Sequence, residues 1–376
     1  MNELLRPIAT AWWQWMLPLT VQAGLLVLIV GVVDRVLQRW SWPSFRAALW
    51  CVVLIKLLLP PTLTSPWSLT RLRRAATTAA IDAAATTLAS SQAATLPLFL
   101  TWLSGVLVLA FTAARRYRTQ RAQWLATPWT ELPEPLAPSL HRAVRAIGLQ
   151  RAPEVRVSAL AKGPAVVGLL RPIVVLPAAL VETALEDDAG RQQLEHVLLH
   201  ELSHVRRRDP LTSTVVLGIQ LLYWFHPAAW WARARLDELR EMACDEAAAR
   251  ALSDAAAYRR TLLQQARPLL QSDGLGQLAF VHRHSQLLAR LRWLERPLRR
   301  RSARARAFAA GVLLLLATCC VPLGLVRSLV LEPALAHALS VAPTPSDAPG
   351  CLHQRYVMFG LLGAETSEPV SQGELP

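Results

Sequence analysis

The sequence is almost without lysine: Lys56 and Lys162 are the two lysines among 40 basic residues, and arginine supplies the rest. It also lacks any Cys-x-x-Cys pair. Its five cysteines stand at 51, 244, 319, 320 and 351, three of them in or near apolar helical patterns, which excludes a disulfide framework or a cysteine-type zinc site as the organising feature. Acidic residues are scarce as well, 26 against 40 basic, for a net charge of +14. Such an excess would suit nucleic acid, but the arginines cluster beside apolar runs. That is the pattern by which arginine holds a loop on the cytoplasmic face of a membrane, so no direct nucleic-acid binding is expected. The leader Met1 to Trp15 lacks the cationic bias of a cleaved signal peptide and carries three tryptophans instead, so the apolar run after it is read as a retained anchor.

What the chain does have is apolar surface. Hydrophobic residues make up 53% of its 376 positions, with 14 tryptophans and a mean hydropathy of +0.29, which points to a membrane protein with tryptophan at the interfaces. A helical span needs about 20 apolar residues. Four segments qualify, at about 16–33, 47–59, 96–114 and 307–326; the second is short, with Lys56 able to snorkel toward an interface. Arg115, Arg116, Arg118 and Arg121 follow the third, and Arg296, Arg299, Arg300, Arg301, Arg304 and Arg306 precede the fourth. Residues 115–306 are therefore expected on the cytoplasmic side, residues 1–114 form the N-terminal membrane region, and 327–376 form a short extracytoplasmic tail. The Ala/Thr-rich stretch 75–95 is read as a helix or linker in an external loop.

Within 115–306, Leu194 to Val205 carries apolar residues at helical spacing and contains His200-Glu201-Leu202-Ser203-His204. Two imidazoles one turn apart on one helix face can grip a single Zn²⁺, and Glu201 beside the first can act as general base on a water. A catalytic zinc needs a third protein ligand and an open position. The helix-forming stretch Arg235 to Arg250 offers Glu241 and Asp245 at i, i+4 on one face: Glu241 can ligate while Asp245 orients a ligand from behind. The alternatives are a pair of unconnected histidines and a solvated charged helix. Arg156 to Leu160 and Val166 to Leu176 read as strands around a Gly-Leu-Leu-Arg-Pro turn, either a packed hairpin or an edge able to take a peptide strand. The uncharged run Leu211 to Ala232 is long enough to cross a bilayer. If it crossed, Glu241 would lie on the wrong side, so it is read as a buried or membrane-grazing helix broken around His226-Pro227. His196 is read as packing or as backing a ligand, His226 as a helix cap or structural residue ahead of one that stabilises a transition state, Tyr223, His282 and His284 receive no role, and Arg206, Arg207 and Arg208 are expected to face the membrane surface. The architecture is thus mainly α: a four-helix membrane region with an inserted α+β domain.

His200-Glu201-Leu202-Ser203-His204-Val205-Arg206-Arg207, Trp224-Phe225-His226-Pro227, Arg240-Glu241-Met242-Ala243-Cys244-Asp245 and Gly163 to Pro177 together resemble the BlaR/MecR-type antirepressor metallopeptidases, over roughly residues 10 to 330. The resemblance implies a gluzincin-like zinc domain with His200, His204 and Glu241 as ligands and Glu201 activating water. It also implies residence in a bacterial inner membrane and cleavage of a protein or peptide substrate, a cytosolic winged-helix repressor or the protein itself, after an external signal. The penicillin-binding sensor domain of that family is not expected, because its Ser-x-x-Lys nucleophile occurs nowhere in the sequence. A housekeeping or quality-control membrane metalloprotease, and a non-enzymatic scaffold with a vestigial metal site, are the other classes that fit the residues.

Overall fold

The computed structural model describes residues 2–59, 92–161, 163–252, 255–270, 287–296 and 301–320. The expected external stretch at 75–91, residues 321–326 of the fourth expected span, the tail, His282 and His284 lie outside the described residues.

Helix α1 (Asn2–Leu37) and helix α3 (Gln92–Ala126) contain Leu5–Leu37 and Thr95–Gln123, stretches of 33 and 29 residues that are long and apolar enough to cross a membrane. The second expected span is helix α2 (Pro43–Leu58), only 16 residues long and started by a proline at its first turn. Of the fourth, helix α10 (Ala303–Cys320) is described. Between α3 and α10 come β1 (Thr130–Glu131), a short 3₁₀ turn, α4 (Ala137–Ile147), β2 (Glu154–Ser158), β3 (Ala165–Val167), β4 (Ile173–Pro177), α5 (Ala178–Glu186), α6 (Asp188–Arg207), α7 (Asp209–Leu222), α8 (Pro227–Ala251), α9 (Ala255–Leu270) and the helical residues 287–294. The strands form one sheet of order β1-β2-β4-β3, with β2 and β4 parallel and both edge strands antiparallel to their neighbours. The two strand-rich stretches read from the sequence are β2 and the β3–β4 hairpin, whose turn uses Gly168 at φ 92°, a conformation that only glycine adopts freely.

Apolar side chains gather in two clusters. The first joins α1 and α2 to α7, the N-terminal half of α8 and α10, through residues such as Leu19, Leu26, Trp50, Val53, Ile219, Leu236 and Leu316. The second joins the sheet to α4, α5, α6, the C-terminal end of α8 and α9, through residues such as Leu136, Val174, Leu194, Leu198 and Tyr258. Helix α8 belongs to both, with Leu239 and Met242 in the first cluster and Ala248 and Ala249 in the second. Glu241 and Asp245 therefore sit where the two regions meet.

The run 211–232 is broken, as the ligand argument required. Helix α7 ends at Leu222, residues 223–226 turn, and Pro227 starts α8 with the His226 side chain accepting from the Ala228 N–H. Ser213 bonds Arg240 and Gln220 bonds Arg233, so the two helices form an antiparallel hairpin. Its turn is held by all three N-terminal helices. Tyr223 Oη donates to Leu57 O (2.9 Å), His226 Nε2 bonds Thr20 O (3.0 Å), and Trp224 Nε1 donates to Trp102 O (3.3 Å). The fit there is close: a Cβ on Gly105 would lie 2.4 Å from the Trp224 ring.

Candidate metal centre

Helix α6 starts where Asp187 caps it, its carboxylate accepting from the Gly190 N–H at 2.6 Å. Leu194, Val197, Leu198 and Leu202 point into the second cluster and fix the roll of the helix. That roll turns His200 and His204 toward α8, and their rings meet edge to face at 5.0 Å. The two Nε2 atoms are 3.3 Å apart. Glu241 closes the group, with one carboxylate oxygen 3.5 Å from His200 Nε2 and the other 3.7 Å from His204 Nε2. All three donor atoms lie within 4.8 Å of one another. A tetrahedral zinc with bonds of about 2.0–2.1 Å has ligand-to-ligand edges of about 3.3 Å. The donor set fits that ion with little adjustment.

The other ring nitrogens face carboxylates. His200 Nδ1 lies 3.1 Å from Asp245 Oδ1 and 3.0 Å from Tyr258 Oη, while His204 Nδ1 lies 2.8 Å from Asp209 Oδ2. Each imidazole thus has its back nitrogen held and its front nitrogen turned to the shared centre, the arrangement that fixes the ligating tautomer. Asp245 is fully buried and accepts from Tyr258 Oη (2.7 Å) and twice from Arg290 (2.7 and 2.8 Å). Arg290 also reaches Glu241 at 3.3 Å.

The charges follow this geometry. Burial disfavours a charged His200, but its hydrogen bonds to Asp245 and Glu241 outweigh that and lift its pKa to about 10. Burial likewise opposes an ionised Glu241, and His200 and Arg290 hold it down to about 2. Asp245 stays ionised despite complete burial because Arg290 and His200 lie against it. Glu201, beside the first histidine, is buried, and burial pushes its carboxyl upward, toward the range a general base requires.

His204, Asp209 and Cys244 form a second close group, with the Cys244 sulfur 3.4 Å from His204 Nδ1. Burial first, and then the neighbouring Asp209, pushes the Cys244 thiol well up, so it stands there as a neutral thiol. The group behaves as the hydrogen-bonded backing of His204.

Residues 14–294, well over half of the chain, match the family described as BlaR1 peptidase M56. The chain belongs to that family. Among M56 relatives, it is similar to the methicillin resistance protein mecR1 of Staphylococcus aureus strain Mu50, 33% identical over 82 residues that make up 22% of this chain and 13% of the relative. It is also similar to the regulatory protein BlaR1 of Bacillus licheniformis, 30% identical over 95 residues, 25% of this chain and 15% of the relative. These alignments thus span under one sixth of the relatives' length. Membership places the chain in a peptidase family, and the His and Glu group offers a place where a metal ion could be held.

The structure brings His200, His204, Glu241 and Asp245, all singled out from the sequence, within contact of one another, with Glu201 next to His200 on the same helix. Asp209, Tyr258, Cys244 and Arg290 were missed. Only Asp209 had a local signal, an Asp-Pro pair that opens α7 one residue past the turn at Arg208. His196 plays a packing part, buried and bonded to Thr261 at 2.7 Å, and His226 is a helix cap. Arg206 donates to the Ile147 carbonyl at the end of α4, and Arg207 bonds Ser44 and Asp209, because the C-terminus of α6 abuts both neighbours.

Proposed function

We propose that the protein is a membrane-anchored zinc-dependent endopeptidase that hydrolyses peptide bonds of a cytosolic, repressor-like regulator, and of itself, in signal transduction. The observation that carries this reading is the convergence of His200 Nε2, His204 Nε2 and the Glu241 carboxylate at tetrahedral spacing, with the buried Glu201 beside them. In this reading His200, His204 and Glu241 hold zinc, Asp245 and Asp209 orient the two imidazoles, and Glu201 is the base. Zinc bound there would polarise the scissile carbonyl and acidify the attacking water. Glu201 accepts the proton of that water and passes it to the departing amine. The substrate is held extended: β3 is an edge strand packed near α6, so a peptide can add to its open side.

The topology that goes with this chemistry has four spans in a bacterial inner membrane, with the zinc domain at 115–306 in the cytoplasm and 327–376 outside. Its support is the arginine distribution around α3 and α10 and the turn at 223–226, which keeps α7 and α8 from crossing.

Zinc content and cleavage by the detergent-purified protein test the assignment. The wild type is expected to hold about one zinc per chain, retained in Glu201→Gln and lost in His200→Ala and Glu241→Ala. Cleavage of a co-expressed regulator is expected to fall by about 10²–10⁴-fold in Glu201→Gln. Equal zinc in Glu241→Ala would remove Glu241 from the ligand set, and a metal-free wild type that cannot be reconstituted would leave a non-enzymatic scaffold.

A further inference from the structure

The residues just ahead of α10 are gripped by the rest of the protein at several points. Leu287, Leu291 and Leu294 pack on the second apolar cluster, while Ala289 and Trp293 pack on the first. Arg296 donates to Gln38 O at 2.9 Å, just past the end of α1. Arg301 pairs with the buried Glu246 of α8 at 2.8 Å and lies 4.9 Å over the Trp42 ring. Between these anchors Arg290 enters the metal centre.

Its guanidinium is used on three sides. Nε donates to Asp245 Oδ2 (2.7 Å), Nη2 to Asp245 Oδ1 (2.8 Å), and Nη1 faces a Glu241 carboxylate oxygen at 3.3 Å. Asp245 Oδ1 also takes Tyr258 Oη and faces His200 Nδ1, so the carboxylate that backs the first histidine is itself set by Arg290. A guanidinium is a rigid planar fork, and its separate N–H donors can fix two carboxylates relative to each other. Its side chain is 18% exposed, unlike an arginine that only marks the cytoplasmic edge of a span.

We infer that Arg290 is a positioning residue of the metal centre, clamping Asp245 and Glu241 together from the segment that leads into α10, so that metal retention depends on how that segment is seated. The inference rests on the zinc reading above. Loss of the clamp frees the Glu241 carboxylate to rotate and leaves Asp245 unset behind His200. Outer partners of this kind are worth about 10–100-fold in metal affinity.

Zinc affinity of the full-length protein in detergent, measured by competition with a chromophoric chelator, tests this on wild type, Arg290→Ala, Arg290→Lys and the exposed control Arg292→Ala, with far-UV circular dichroism as the check on folding. Arg290→Ala is expected to bind zinc about 10–100-fold more weakly. Arg290→Lys keeps the charge without the fork and should lose less, while Arg292→Ala should match wild type. A folded Arg290→Ala with affinity within two-fold of wild type overturns the inference and leaves the zinc reading standing. A wild type without zinc affinity sinks both. Should Arg290→Ala not fold, Arg290→Lys decides on the same two-fold line: a larger loss supports the clamp and a smaller one overturns it.

Discussion

The two apolar regions of this protein solve the burial of polar groups in opposite ways. In the membrane-helix region, apolar side chains face outward as readily as inward: Leu28, Val32, Val108, Phe111 and Leu314 are each about three-fifths exposed or more. Several buried polar atoms there, Lys56 Nζ and both amide atoms of Gln22 among them, have no hydrogen-bond partner among the described residues. Around the candidate metal centre, by contrast, Asp245 engages Arg290, Tyr258 and His200 together, and each of the two facing imidazoles has a carboxylate behind it. The first region is held by apolar packing, a few bonds to backbone carbonyls and the ion pairs of Asp34. The second is held by a connected polar network in which each imidazole and carboxylate of the centre has a side-chain partner.

The contrast is sharpest where both regions contain a buried carboxylate. Asp34 at the end of α1 pairs with Arg46 of α2 and Arg235 of α8, and Asp245 pairs with Arg290. Truncating Asp34 strips Arg46 of its ion pair, and truncating Asp245 leaves Arg290 only its contact to Glu241, so Asp34→Ala and Asp245→Ala should each cost about 3–5 kcal/mol of stability, read by thermal or denaturant unfolding in detergent. Zinc affinity should separate them, falling in Asp245→Ala and holding in Asp34→Ala. A parallel loss in both variants would mean that the membrane region and the site are one polar unit.

Much of this centre was legible in the sequence because helices repeat. The apolar spacing of Leu194 to Val205 placed His200 and His204 on one face, and the i, i+4 pair Glu241 and Asp245 did the same on α8, where both now meet the histidines. The break at 223–226 was legible too, from Pro227 and the need to keep Glu241 on the histidine side. Tyr258 and Arg290 were not, because they reach the site from 58 and 45 residues away from the groups they bond, across the tertiary fold. One arginine among so many carries no mark that it will be buried. The second span shows the converse limit: α2 reads as a short apolar segment, but Arg46 and Lys56 within it are buried against neighbouring helices, which local hydropathy cannot express.

Next in size are changes at single buried positions, one on each side of the contrast. Lys56→Met removes a buried ammonium that has no partner among the described residues and should raise stability by about 1–3 kcal/mol, seen as a higher unfolding temperature with zinc affinity unchanged. Gly190→Ala should do the reverse by a similar amount, about 1–3 kcal/mol, since its new Cβ would sit 2.1 Å from the Thr183 carbonyl oxygen, backbone that cannot move without parting α5 from α6. Gly24 in α1, where a Cβ meets nothing within 4 Å, is the matching control; Gly24→Ala should be neutral or gain up to about 1 kcal/mol of helix propensity.

The smallest effect concerns the joint that aims Asp209 at His204. Helix α6 ends at Arg207, and Arg208 takes φ 56° and ψ 40°, a left-handed conformation that side chains with a Cβ adopt at some cost. That single residue turns the chain so that Asp209 comes back within 2.8 Å of His204 Nδ1. Arg208→Gly relieves the strain in the folded state but adds freedom to the unfolded chain, and the two offset to within about 1 kcal/mol. Its unfolding midpoint and zinc affinity should therefore stay near wild type. Arg208→Val cannot offset its strain, because a β-branched side chain resists this conformation, and it should weaken both stability and zinc binding together. Unchanged zinc affinity in a destabilised Arg208→Val would show that Asp209 does not depend on the turn, and that His204 is held by α6 alone.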